Sequence, residues 1–192
     1  MTKRVHFVGA SGSGTTTLAA ALASQVGCPH LDTDSYFWLP SDPPFQHIRP
    51  VEARVAMLRA DLEKPGGWAL SGSLCDWGDV FIPLFDLVVF LYIPKDLRMA
   101  RLRAREITRY GAAAIGPGGA MHAGSTEFIE WAAGYDEGAL ERGSEYRCLR
   151  VHNEWLARLP GPVLRLEDVA TVEANLARVL AALDGGASAT AS

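Results

Sequence analysis

The chain has 192 residues, 48% hydrophobic and 21% charged, which is ordinary for a globular protein and enough for one good-sized core in a single domain. A net charge of −4 gives no general case for nucleic-acid binding, and three scattered cysteines (Cys28, Cys75, Cys148) fit reduced thiols in the cytoplasm better than a disulfide framework. The longest apolar run, residues 80–93, is broken by Pro83 and Asp86 and is too short to span a bilayer, so neither a membrane nor a nucleic acid is expected as a partner.

Residues 4–9, RVHFVG, are β-branched and aromatic and end in glycine, the pattern of a buried first strand. After a glycine-rich turn, residues 15–27 read as a helix of small and apolar side chains closed by Gly27. Residues 29–34, PHLDTD, form a second short strand with acids at its carboxyl end. An aromatic and proline-rich connection, residues 35–50, leads to an amphipathic helix over 49–64, with Val51, Val55, Leu58 and Leu62 on one face. A third strand is expected over 67–73 and a fourth, apolar throughout, over 86–93, as in a central parallel strand covered on both faces. A long helix over 94–111 opens at Pro94 and closes at Gly111. A glycine-rich loop, 111–125, follows, then helices near 126–139 and 144–159, a fifth strand over 161–167 and a last helix over 172–183. The expected organisation is one domain over 1–184, with a lid at about 105–150 and a flexible tail of small residues at 185–192. Strands alternating with helices predict an α/β fold with a parallel sheet, whose ligands sit at the carboxyl ends of the strands.

The acids and glycines fall at those ends. GASGSGTTT, residues 9–17, has the G-x-x-x-x-G spacing of a phosphate-binding loop placed between a strand and a helix. The main-chain N–H groups of Gly9, Ser11, Gly12, Ser13, Gly14, Thr15, Thr16 and Thr17 are expected to form a positive nest for a di- or triphosphate. The Thr16 hydroxyl is expected to hold Mg²⁺ between phosphates. Position 15, where such loops usually carry lysine, is threonine. If the chain is an enzyme, another cation must meet the charge on the transferred group, where a well-placed arginine is worth roughly 10³–10⁵ in rate. Arg98, Arg101, Arg105 and Arg109 share one helix face. Arg105 and Arg109 precede the glycine-rich loop, and Arg142, Arg147 and Arg150 lie beyond it, the layout of a lid that closes over phosphates. Arg105 and Arg109 are therefore the expected catalytic cations, while Arg98 and Arg103 read as a solvated basic face. Asp32 and Asp34 are expected to point the same way from one strand, one supporting metal and the other orienting or deprotonating an acceptor hydroxyl. Ser71, Gly72 and Ser73, at the end of the third strand, are expected to shape the acceptor pocket, with Trp38 and Arg49 of the aromatic connection as substrate contacts and Trp77, Asp79 and Trp131 nearby. Phe37, His152 and Trp155 read as packing residues, and His122 as an exposed loop histidine.

Most of the chain, from Arg4 to about Leu183, resembles the small P-loop kinases, the nucleoside-monophosphate kinase and shikimate kinase group. The loop GASGSGTT resembles theirs apart from Thr15, and LDTD resembles the D-T-D element of shikimate kinases, which implies metal support by Asp32 and acceptor contact by Asp34. Arg105 and Arg109 resemble the arginine pair at the lid entrance of adenylate kinases, and Arg49 lies where these kinases use an arginine for the acceptor. The resemblance implies a three-layer sandwich with five parallel strands in the order 2-3-1-4-5 and a helical lid. It also implies ATP and Mg²⁺ as cofactors, a small-molecule acceptor, a nucleotide or nucleoside foremost, and a monomer or homodimer. An ATP-binding regulatory protein and a simple NTP hydrolase are the alternatives.

Overall fold

In a computed structural model, residues 3–138 and 147–188 are described; Arg142 and the start of the helix expected from residue 144 lie outside them. The five strands are β1 (Arg4–Gly9), β2 (His30–Asp32), β3 (Trp68–Ser71), β4 (Leu87–Leu91) and β5 (Val163–Leu166). They form one parallel sheet in the order β2-β3-β1-β4-β5. Strict alternation sends β1 and β4 side chains to two cores. Val5, Phe7, Leu87, Val89 and Leu91 pack with helices α1 (Thr15–Val26) and α8 (Val172–Ser188) on one face. On the other face, Val8, Val88 and Phe90 meet Trp155 and Leu156 of helix α7 (Leu149–Ala157). Trp68 and Leu70 of β3 meet short helix α2 (Asp34–Phe37), helix α3 (Val51–Leu62) and a 3₁₀ turn at Asp79–Leu84. Burial on both faces explains why β4 reads as an unbroken apolar run.

Helix ends follow the local chemistry. Gly27 closes α1 in the left-handed conformation, its N–H returning to the Ala23 carbonyl. Pro94 caps helix α4 (Lys95–Tyr110), and Gly111 ends it at a positive φ. Helix α4 packs on helices α5 (Ala112–Ile115) and α6 (His122–Ala133).

Several expectations change. Val51 is exposed, because α3 starts there and only Val55, Leu58 and Leu62 reach the core; the fourth inward position is taken by Arg54. The glycine-rich segment 111–125 is largely helical, through α5 and the first turn of α6, and His122 is half-buried with Nδ1 against the Ile115 carbonyl. Helix α8 continues past Leu183 to Ser188, so the first residues of the expected tail are helical. Arg98 is not solvated: it is fully buried, ion-paired to Asp136, with Nε donating to the Ile93 carbonyl and its guanidinium over Tyr135. Paired and hydrogen-bonded, that charge is tolerated inside and ties the start of α4 to the end of α6. Among the described residues no helix is long and apolar enough to cross a membrane.

Candidate active site

The turn between β1 and α1 is built for close approach. Gly12 and Gly14 both take positive φ, 82° and 104°, and a Cβ on Gly12 would lie 2.9 Å from the Arg98 carbonyl oxygen of α4. Gly14 caps α1 without a side-chain hydrogen bond, and no acid stands in the first turn, so the helix dipole and the N–H groups of Thr15, Thr16 and Thr17 face outward undischarged. Inside the turn the Ser13 N–H is held by the Ala10 carbonyl, while the Ser13 hydroxyl is buried with no partner. Gly9 and Ser11 complete the turn at the end of β1.

The parallel order brings the end of β2 beside this turn. The Thr16 hydroxyl donates to Asp32 Oδ2 at 3.2 Å, so the two residues expected to serve a metal are adjacent. Asp32 is held from three sides. Ser71, its register partner on β3, donates to the same Oδ2 at 3.2 Å, and the Asp34 N–H donates to Oδ1 at 3.0 Å. With the Ser71 proton so used, His30 Nε2 is the donor in its 2.9 Å contact with Ser71 Oγ, giving a chain His30–Ser71–Asp32. An all-oxygen pair of hydroxyl and carboxylate, leaving the remaining positions to phosphate and water, fits Mg²⁺ and not a thiophilic metal.

Asp34 differs from its expected placement: β2 stops at Asp32, and Asp34 opens α2. It does not share a strand face with Asp32, yet the turn holds the two side by side. The Asp34 side chain is exposed, yet the surrounding protein withdraws enough water to raise its carboxyl above the ordinary range; the charge of Asp32 adds to the rise, and Arg147, Arg105 and Arg109 oppose it. Arg105, over the Phe128 ring, is lowered by burial and then by Arg109. Arg109 lies over Phe45, 4.9 Å from the ring centroid, and Arg147 over Phe37 at 5.0 Å. The charges of these three guanidiniums all act on the Asp34 carboxyl.

Of the expected acceptor residues, Trp38 is half-buried, edge-on to Phe37 and Phe45. Arg49 is turned inward: Nε donates to the Tyr36 carbonyl at 2.9 Å and a terminal nitrogen to that of Trp38 at 3.1 Å, so it shapes the loop that was expected to present it to substrate. Ser71 and Ser73 are buried, Ser71 on Asp32 and Ser73 within reach of Cys75 N and His152 Nε2, so their hydroxyls do not open on a pocket. Gly72 lies against Thr33, with no room for a Cβ. Trp77 is in the core, its indole N–H on the Ser73 carbonyl; Asp79 receives the Trp155 indole at 2.7 Å; Trp131 stacks on Phe128. Phe37, His152 and Trp155 are packing residues as expected.

Residues that the sequence left unassigned stand here too. His30 supports Asp32 through Ser71, and Arg54 is buried 4.0 Å over Phe37. Among the described residues the guanidinium hydrogen-bonded to the phosphate-type loop is that of Arg101: one terminal nitrogen lies 3.4 Å from the carbonyl oxygens of Gly12 and Ser13. Its helical spacing with Arg105 and Arg109 was visible; which end of that row abuts the loop depends on how α4 packs on Gly12.

The five-stranded sheet, its order and the glycine loop define the P-loop kinase fold. Two solved structures share it: a shikimate kinase from Acinetobacter baumannii in complex with shikimate (TM-score 0.56, 13% identity, 95% of this chain and 93% of that one), and one from Bacteroides thetaiotaomicron (0.55, 21%, 95% and 98%). No protein-family model matches the chain. It is 44% identical over 180 residues to YqaC of Bacillus subtilis (strain 168), described as an uncharacterized protein, covering 94% of this chain and 97% of that one. The chain belongs to the same family as YqaC.

Proposed function

We propose that the protein is an ATP- and Mg²⁺-dependent kinase that moves the γ-phosphoryl group to a small-molecule acceptor, with nucleotides and nucleosides the first class to test. The observation that carries this reading is the placement of Asp32 on the Thr16 hydroxyl at the head of the loop, with Asp34 beside it among Arg105, Arg109 and Arg147. The fold shared with shikimate kinases supports the same class.

In this reading the nest from Gly9 to Thr17 binds the polyphosphate. Thr16 and Asp32 would hold Mg²⁺, which would supply charge neutralisation on the phosphates. Asp34 accepts the proton of the attacking hydroxyl, a task suited to a carboxyl raised by its surroundings. The acceptor oxygen bonds to the γ-phosphorus as the bond to the bridging oxygen breaks, and ADP leaves. Arg105 and Arg109 meet the charge spread over the transferred group. Trp38 borders the acceptor, and Ser71 positions Asp32.

Steady-state ATP consumption with a panel of nucleosides, nucleoside monophosphates and hydroxy acids, with products read by phosphorus NMR, tests it. The expected result is phosphorylation of one acceptor class that requires Mg²⁺. ATP binding without any phosphorylated product would favour a regulatory protein. Phosphate release at a rate indifferent to every acceptor would favour a simple hydrolase.

A further inference from the structure

We infer that Arg101 of helix α4 is the cation that serves the phosphate loop in place of the lysine missing at Thr15. This assignment rests on the loop being a nucleotide site, and it separates Arg101 from Arg105 and Arg109, whose charges act on Asp34.

Three observations carry it. First, the root of the side chain is fixed. The main chain of α4 at Arg98 and the Leu102 side chain abut Gly12, where even a methyl group would lie 2.9 Å from the Arg98 carbonyl. A helix seated that closely delivers the intervening Arg101 to the same loop, whatever the lid does. Second, the charge already stands at the loop. A terminal nitrogen of Arg101 is 3.4 Å from the carbonyls of Gly12 and Ser13 and 3.8 Å from where a Cβ on Gly14 would be. That is one residue before the position from which a lysine would reach the phosphates. Third, the charge is not committed. Among the described residues the hydrogen bonds of Arg101 go to main-chain carbonyls, at the long limit for such bonds, whereas its neighbours on the helix are held by carboxylates: Arg98 by Asp136 and Arg109 by Glu106. Phosphate oxygens, as charged acceptors, form shorter and roughly twofold stronger bonds with a guanidinium than neutral carbonyls do. The side chain is exposed, so exchanging those carbonyls for phosphate oxygens asks it only to turn about its own bonds and breaks no ion pair among the described residues.

The row on α4 is thereby divided by task. Arg101 addresses the donor phosphates, Arg105 and Arg109 the side of Asp34 and the aromatic loop. Threonine at position 15 is tolerated because its lost charge is supplied from another element.

The test is binding of MgATP and of AMP by titration calorimetry, in the absence of acceptor, to the wild type and to Arg101→Met, Thr15→Lys and the double variant. Melting temperatures without nucleotide accompany each. Arg101→Met is expected to weaken MgATP by roughly 10- to 100-fold, AMP by much less, and melting little, because the bonds lost are those to a charged polyphosphate. Thr15→Lys in the Arg101→Met background is expected to restore MgATP affinity to within a few-fold of wild type. Arg101→Lys keeps the charge without the fork and is expected to fall between. MgATP binding by Arg101→Met equal to wild type, or a loss that Thr15→Lys does not repair, overturns the assignment and leaves the nucleotide site standing. A wild type that binds no MgATP overturns both.

Discussion

Asp34→Asn is expected to lower turnover of the phosphorylated acceptor by roughly 10²–10⁴, the usual worth of a positioned general base, with MgATP affinity unchanged or tighter. Asparagine keeps the shape and leaves the N–H to Asp32 in place, so the metal pair of Thr16 and Asp32 is undisturbed. What is lost is an acceptor for the proton. Removing a negative charge from among Arg105, Arg109 and Arg147 cannot weaken the hold on an anion, so a fall confined to kcat is the signature. A variant that turns over within threefold of wild type would exclude Asp34 from proton transfer and leave it as a partner for the arginines.

The second large effect concerns acid. His6 is fully buried in β1: Nδ1 faces the Leu70 carbonyl at 3.2 Å, Nε2 has no partner, and the ring stacks on Phe85. His152 of α7 lies between the Tyr135 hydroxyl at 2.7 Å and Ser73. Burial pushes both down to about 3; the Leu70 carbonyl opposes this at His6, and Arg147 and His6 reinforce it at His152. The folded state keeps both neutral, while the unfolded chain protonates them near the ordinary value of 6.5. Below that value the unfolded state binds more protons, so stability is complete above about pH 6.5 and declines as pH falls toward 3. Each histidine removes roughly 1 to 2 kcal/mol per pH unit in that window, so by pH 4.5 the pair removes roughly 5 kcal/mol, the size of a small domain's whole stability. Circular dichroism through an acid titration is expected to show cooperative unfolding near pH 4–5, and His6→Phe or His152→Gln to move the midpoint lower. Midpoints below pH 3.5 that are the same in all three proteins would show that the histidines do not govern the transition.

The parts readable from the sequence were those set by short-range pattern. Glycine spacing between a β-branched run and a small-residue helix is enough to place the phosphate-type loop, and the apolar runs are enough to order the strands through the resemblance. The contact of Thr16 with Asp32 was legible because the two sit at the ends of elements that the sheet order makes neighbours. Arginine was not legible in the same way. One residue type performs four jobs here: buried pairing at Arg98, loop closure at Arg49, ring stacking in the core at Arg54 and attendance on the site at Arg101, Arg105 and Arg109. Helical spacing gives the face, but it cannot say that Asp136 waits for Arg98 or that the Tyr36 and Trp38 carbonyls turn Arg49 inward, since those partners come from other segments. Ser71 shows the same limit: a strand-end serine reads as pocket lining until register sets it opposite Asp32.

Helix α4 touches the phosphate-type loop near one end, where Gly12 meets Arg98, and the aromatic loop at the other, where Arg109 covers Phe45. Its 16 residues make a stiff rod roughly 24 Å long. A stiff rod in contact at both ends is expected to carry motion between them, so nucleotide binding at the loop is expected to be felt at Phe45 and, through ring contact, at the Trp38 indole. Tryptophan emission is therefore expected to change on adding MgATP alone, and a Trp38→Phe variant to lose most of that signal; an equal response in the variant would mean the rod transmits nothing. Trp38 would thus offer a label-free readout of MgATP at the loop.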